Sequence, residues 1–353
     1  MLKVNTGVIM AIVIIIAFLL TIMWGVLFLK QLTTGLTNTA LDDKFTWGLY
    51  VQGFFFFSAL AGGGLIFISV VTLFEINSLR PLGEVGSAVS LGCLAAAGML
   101  LGSDLGKPFR GFRIITGKNF TSPLTWDFIA LSACAILNLI YLAGIVSVNG
   151  AGSIIWAILC IIAALCFVII HTLFFLSRVG AGFKSQPFLG LSTLAQSLLG
   201  GTALITLIGL GVGVKPEKVI RLLLILTILA LIPLFGSYLA SLTTRNKGDE
   251  YKKILGMDII LLVILILIQI ISPDNSVLLA VGSVLILISI FLEKSHLMRQ
   301  YQQNPILPLP YSIHDPIPKY SPTSYEWLLS IGCAGTCVLV SSVIFYLRTL
   351  LLG

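Results

Sequence analysis

Two segments hold most of the residues able to do chemistry: Ser103-Asp-Leu-Gly-Lys-Pro-Phe-Arg-Gly-Phe-Arg113 and Asn119-Phe-Thr-Ser-Pro-Leu-Thr-Trp-Asp127. Ser122-Pro123 reads as a helix start, an N-cap followed by proline at the first helical position. Asp127 then falls just over one turn inside an apolar helix. An ionisable group there is costly in lipid, which makes it a functional candidate. Asp127, Cys134, Asn138 and Tyr141 share one helical face. Such a stripe suits a proton-conducting or ligand-facing seam, or hydrogen bonds that hold helices together.

His171 sits late in the next apolar run. Imidazole titrates near neutral pH, so it could take a proton; the alternative is a neutral histidine bonded to a neighbouring helix. Asp258 and Gln269 share a face further on and could belong to a second proton path, or Asp258 could sit at the interface. Trp47 and Tyr50, at the start of another run, suit an aromatic belt or the rim of an aromatic-lined cleft. The other histidines are His296 and His314, so a transmembrane bis-histidine haem is not expected. The 6 cysteines lie in apolar stretches without iron–sulfur or zinc spacing and read as packing residues. Gly62-Gly-Gly64 is mid-span, not between a strand and a helix, so it is no dinucleotide loop.

The elements that must position these residues are membrane helices. Of 353 residues, 58% are hydrophobic and only 10% charged. Soluble domains carry about 25% charged residues, so a soluble enzyme is excluded. Ten runs approach the length of about 20 residues needed to span a bilayer: 7–29, 47–74, 84–103, 123–146, 153–176, 190–212, 219–241, 254–272, 277–292 and 327–350. The ninth looks short. The first is longer than a signal-peptide core and reads as a retained helix. The fold expected is all-α and integral to the membrane, one polytopic domain over 1–353.

Ser58-Ala-Leu-Ala-Gly-Gly-Gly-Leu65 is echoed by Ser197-Leu-Leu-Gly-Gly-Thr-Ala-Leu204, four spans later. The echo suggests two four-helix bundles, spans 2–5 (47–176) and 6–9 (190–292), flanked by spans 1 and 10. Chance similarity in Gly/Ala/Leu-rich sequence competes with it. The connector 293–326 holds six prolines and reads as an extended strap or a plain linker.

The basic residues divide 15 to 6 between alternate connectors. The positive-inside rule puts the richer set, which includes Lys107, Arg110 and the 293–326 connector, in the cytoplasm, with both termini outside. The net charge of +7 needs no nucleic acid to explain it.

The arrangement resembles the polysulfide reductase / NrfD family of membrane subunits, in its longer ten-helix form. The marks are Trp47-Gly48 opening a span that contains Gly62-Gly-Gly64, Asp104-Leu-Gly-Lys-Pro108 with Arg110, and Ser122-Pro-Leu-Thr-Trp-Asp127. His171-Thr172 and Tyr320-Ser-Pro-Thr-Ser-Tyr-Glu326 add to them. The resemblance implies a multi-pass subunit of a prokaryotic cytoplasmic membrane with no haem or iron–sulfur cluster of its own. It would pass electrons between a membrane quinone, menaquinone first among them, and a ferredoxin-like iron–sulfur subunit that serves a catalytic redox subunit. Carried over by position, Asp127 lies at the quinone head group with His171 in the adjoining helix. Trp126, Asp104, Tyr50, Trp47, Lys107 and Arg110 join the quinone set, the last two in the connector facing the partner. Asn138, Tyr141 and Asp258 are the candidates for proton translocation.

Family members often dock the iron–sulfur subunit outside the membrane, on the face that the charge count places inside; both placements stay open. A secondary transporter, with helices broken at Pro233 or Gly209–Gly213, and an inert anchor are the competing functions. The charge division predicts that a cysteine at Ser312 reacts with a membrane-impermeant maleimide only from the cytoplasmic side, and labelling in right-side-out and inverted vesicles checks this.

Overall fold

The structure is a computed structural model that describes residues 6–42, 45–76, 79–117, 120–145, 150–177, 188–212, 217–243, 249–271, 275–303 and 320–352. The helices are α1 (Thr6–Thr34), α2 (Leu49–Leu73), α3 (Arg80–Asp104), α4 (Arg113–Thr116), α5 (Pro123–Leu142), α6 (Ala151–Ser177), α7 (Leu189–Val212), α8 (Glu217–Thr243), α9 (Asp249–Ile271), α10 (Ser276–Gln303) and α11 (Ser324–Leu352). A 3-10 turn, Pro108–Phe112, precedes α4. Among the described residues, nine helices are long and apolar enough to cross a membrane, and α9 contributes a shorter apolar stretch, Leu255–Ile271.

Helix ends follow local chemistry. Pro123 opens α5, with Ser122 in the extended N-cap conformation, although its hydroxyl makes no capping bond. Asn275 Oδ1 accepts from the amides of Val277 and Leu278 at the start of α10. Thr323 and Glu326 form a reciprocal capping box on α11: Glu326 N donates to Thr323 Oγ1 and Thr323 N donates to Glu326 Oε2. Gly35, at φ +64°, closes α1 by donating to the Gln31 carbonyl, a left-handed stop that suits glycine.

Several boundaries differ from the sequence expectation. The ninth span is not short: α10 runs on to Gln303, through Glu293 and Lys294. Those charges do not end it because Lys294 pairs with Glu293 and donates to Gln196 inside the protein. Residues 293–303 are therefore helix, and most of the proline-rich remainder, 304–319, lies outside the described residues. The last span begins at Ser324, set by the capping box. Pro233 lies inside α8, which runs unbroken, as does α7 to Val212.

The core centres on α2, in which 20 of 25 residues are buried. It packs against α3, α6, α7 and α10. A helix covered nearly all round belongs in the middle of a bundle. α5 packs on α6 and α3; α8 and α9 pack on each other, and α10 packs on α7 and α9. α1 lies at the rim against α11, most of its large apolar side chains facing outward toward lipid.

The two echoed sequences meet each other. A Cβ on Gly63 would overlap the Ser197 carbonyl, and one on Gly201 would overlap the Gly64 amide and Gly63. Their backbones touch because neither glycine carries a side chain, the small-residue packing that membrane helices use in place of a hydrophobic drive. Gly63→Ala is expected to destabilise by about 2 kcal/mol or more, because backbone on both sides has nowhere to move. Gly98→Ala, where a Cβ meets nothing within 4 Å, serves as the control and should not lower stability. Thermal unfolding of the two variants in detergent gives the comparison.

Candidate functional site

Asp127, in the second turn of α5, faces His171 near the end of α6. Asp127 Oδ1 lies 3.1 Å from His171 Nε2, and both side chains are about 95% buried. Neither atom has another hydrogen-bond partner. Three aromatic rings enclose the imidazole: Phe54 at 5.6 Å, Phe55 at 5.0 Å and Phe167 at 4.5 Å. The rings from α2 meet it edge-on, which suits the polarity of both partners.

This pair sits at a cavity of about 300 Å³. Asp127 lines it with Trp47, Val51, Phe54 and Phe55 around the start of α2. The remaining lining comes from Leu101, Asp104, Leu105, Ser122, Pro123 and Leu124. It is an apolar chamber with two carboxyl groups, the mix typical of small-ligand sites. Asp104 Oδ1 is buried and has no hydrogen-bond partner. Together these groups offer a planar polar ligand hydrogen-bond partners and aromatic faces.

Side chains from distant elements hold the segment that opens α2, where Trp47 lines the cavity. Gln302, at the end of α10, accepts from Trp47 N and donates to Trp47 O, both at 2.8 Å. Leu49 N donates to Tyr320 Oη, which in turn donates to Glu326 Oε1 at 2.5 Å. Glu326 is fully buried and also accepts from Ala40 N. Phe45 stacks on Tyr320 with centroids 4.6 Å apart. Gly48 leaves room for Tyr320, whose ring a Cβ at that position would strike. Burial first, and then the hydrogen bond to Glu326, push the Tyr320 phenol above its ordinary range.

The sequence-selected residues divide. Asp127, Asp104 and Trp47 line one cavity, with His171 directly behind Asp127. Tyr50 does not line it; its hydroxyl donates to Gln31 Oε1, and Gln31 Nε2 bonds the Ser103 carbonyl, tying α1 to α2 and α3. Trp126 is 48% exposed, its indole bonded to the Phe120 carbonyl on the connector. Lys107 is exposed and away from the cavity lining. Arg110 lies on the 3-10 turn, and its side chain falls outside the described residues.

Asn138 accepts from Ser87 Oγ and donates to Ser90 Oγ and the Cys134 carbonyl, joining α5 to α3. Tyr141 stacks on Trp156 of α6 at 4.6 Å. Asp258 is on α9, bonded to Ser289 of α10, apart from this cavity.

Sequence reasoning missed the aromatic enclosure and the clamp. The run Phe54-Phe-Phe-Phe57 has no polar side-chain atom to mark it within an apolar span. Glu326 carried a visible sign, its place three residues after Thr323, the spacing of a capping box. Among the described residues no group of three or more His, Cys, Asp or Glu could hold a metal ion. All six cysteines are free thiols.

Residues 37–305 match the family described as Polysulphide reductase, NrfD. The chain belongs to this family. It is a multi-pass integral membrane protein. A Halobacterium salinarum protein, provisionally named as a membrane subunit of dimethyl sulfoxide reductase, is 30% identical over 220 residues, 56% of this chain and 50% of that one. A selenate reductase subunit of Mesobacillus selenatarsenatis is 24% identical over 97 residues, 28% of this chain and 23% of that one. The match thus spans half the length of the first relative and less than a quarter of the second. The family match includes the cavity, the Asp127–His171 pair and Gln302, and stops short of Tyr320 and Glu326.

Tyr320→Phe leaves Leu49 N and Glu326 Oε1 each without a partner they now have, with an expected cost of about 1–3 kcal/mol. The folded phenol sits above its unfolded value, so its contribution is complete below about pH 10 and declines as pH rises through the folded value. The gap in unfolding temperature between wild type and Tyr320→Phe should therefore stay constant to about pH 10 and narrow above it. A gap that widens with alkalinity would contradict the assignment.

Proposed function

We propose that the cavity between α2, α3 and α5 binds the head group of a membrane quinone, and that the chain exchanges its electrons with a docked iron–sulfur subunit of a respiratory oxidoreductase. The observation that carries this is Asp127 on the wall of an aromatic-lined chamber with buried His171 3.1 Å behind it, in a chain of the NrfD family. Both relatives are named as subunits of reductases, one of them as a membrane subunit, which supports a place in a multisubunit complex.

Oxidation of a quinol releases two electrons and two protons. The electrons go to the partner's cluster. Asp127 takes a proton from a quinol hydroxyl, and His171 Nε2, 3.1 Å behind it, shares that proton. Asp104, the second carboxyl of the chamber, stands ready for the other hydroxyl. Trp47, Phe54 and Phe55 flank the ring. In the opposite direction the same groups return protons to a reduced quinone. Lys107 and Arg110, on the connector beyond Asp104, form part of the surface offered to the iron–sulfur subunit.

The helices divide, in this proposal, into two groups of four, α2, α3, α5 and α6 around the cavity and α7–α10 beside them, with α1 and α11 flanking. The packing pairs described above support that division. The loss of a positioned base costs about 10²–10⁴-fold in rate. Asp127→Asn in the assembled complex is therefore expected to lower quinol-dependent turnover by at least 10²-fold while the subunits still copurify. Unchanged turnover would remove Asp127 from the reaction.

A further inference from the structure

A second set of buried ionisable groups lies on α7, α9 and α10, outside the quinone chamber. Asp258, on α9, is 5% exposed. Its Oδ1 accepts from Ser289 Oγ at 2.9 Å, while Oδ2 is buried without a hydrogen-bond partner. Four residues after Ser289, one turn along the same face of α10, stands Glu293. Glu293 Oε2 pairs with Lys294 Nζ at 3.1 Å, and Lys294, 3% exposed, donates to Gln196 Oε1 of α7 at 3.0 Å. The neighbouring titratable groups are half-buried His296, on α10, and Tyr238 of α8, whose ring approaches α9 at Gly256.

The charges do not balance. Among the described residues of this cluster, Asp258 and Glu293 bring two carboxyls beside the one ammonium of Lys294, and an unpaired charge inside membrane helices is expensive. The Lys294–Glu293 pair accounts for two of the three. Asp258 is left with a serine donor on one oxygen and nothing on the other. One proton on Asp258 Oδ2 removes the excess charge.

The placement parallels the first site. An aspartate on α5 faces a polar side chain of α6, and one on α9 faces a polar side chain of α10: Asp127 with His171, and Asp258 with Ser289. The second pair has a serine where the first has an imidazole, lines no quinone-sized chamber among those described, and has an ion pair on the neighbouring turn of α10.

We propose that Asp258, Ser289, Glu293, Lys294 and Gln196 form a binding site for one proton, separate from the quinone chamber. The ligand is a hydrogen ion carried on the Asp258 carboxyl. The fixed Lys294–Glu293 pair sets the local charge against which that proton is taken up and released. Such a group can load and unload a proton without touching quinone.

Infrared difference spectroscopy of the purified assembled complex at neutral pH, without quinol, tests the site. Asp258→Asn should remove one protonated-carboxyl C=O band relative to wild type. Lys294→Gln, which deletes the ammonium and leaves two carboxyls uncompensated, should add one such band. Ser289→Ala, a smaller change for a variant that must fold, should shift the frequency of the Asp258 band without abolishing it. Unchanged carboxyl bands in Asp258→Asn, or no frequency shift in Ser289→Ala, would overturn the proposal. Loss of the wild-type band when sodium chloride replaces potassium chloride would also overturn it, marking a sodium site. None of these spectra depends on quinone, so their failure is distinct from failure of the quinone proposal.

Discussion

Backbone contact between α2 and α7 sets the position of nearly everything else. Gly63 lies against the Ser197 carbonyl and Gly201 against the Gly64 amide. Membrane helices gain little from burying apolar surface against one another, since lipid is as apolar as leucine. Close approach and dispersion must do that work, and close approach needs residues without side chains. With α2 drawn onto α7, its other faces meet α3, α6 and α10. Phe54 and Phe55 are then turned toward His171, while Phe56, one residue on, packs edge-on against Phe291 of α10.

Around that contact, polar groups are paired wherever the fold joins parts of the chain distant in sequence. Gln302 holds both polar atoms of the Trp47 backbone, Tyr320 and Glu326 hold the start of α2, and Gln31 bridges α1 to α2 and α3. Unmade hydrogen bonds cost more in lipid than in water, so these bonds specify the arrangement. The groups left without full partners are correspondingly informative. Asp104 Oδ1 borders the cavity, Asp127 and His171 have only each other there, and Asp258 Oδ2 lies in the second cluster. The Asn138 amide is paired with Ser87, Ser90 and the Cys134 carbonyl, whereas Asp104, Asp127, His171 and Asp258 keep atoms without a hydrogen-bond partner.

The sequence made the membrane class, the approximate spans and the prominence of Asp127 legible. Hydropathy depends on composition over about 20 residues, and a carboxylate in such a run stands out whatever it touches. It also marked His171 and Asp104, and the family resemblance, rather than their spacing, gathered them at one site. Boundaries went astray where tertiary contacts changed the meaning of a charge. Glu293-Lys294 looked like the water-facing end of a span, yet Lys294 finds Gln196 inside the bundle and α10 continues to Gln303. Tyr50 and Trp126 looked like members of the site by position along the chain. Helix rotation turns Tyr50 to Gln31 and Trp126 toward the outside.

The sequence by itself therefore determined that this is a polytopic membrane protein with few buried ionisable groups, because scarcity of charge is a property of the chain alone. It also supplied the glycine runs that allow close packing. Only the tertiary structure decided which of those groups face one another. Asp127 and His171 are separated by most of two helices in sequence and by 3.1 Å in space. Asp258, an equally conspicuous acid within an apolar run, falls into a different cluster with Ser289. Helical spacing gives a residue's face but not the neighbour that face meets, and that neighbour is fixed by packing among helices far apart in the chain.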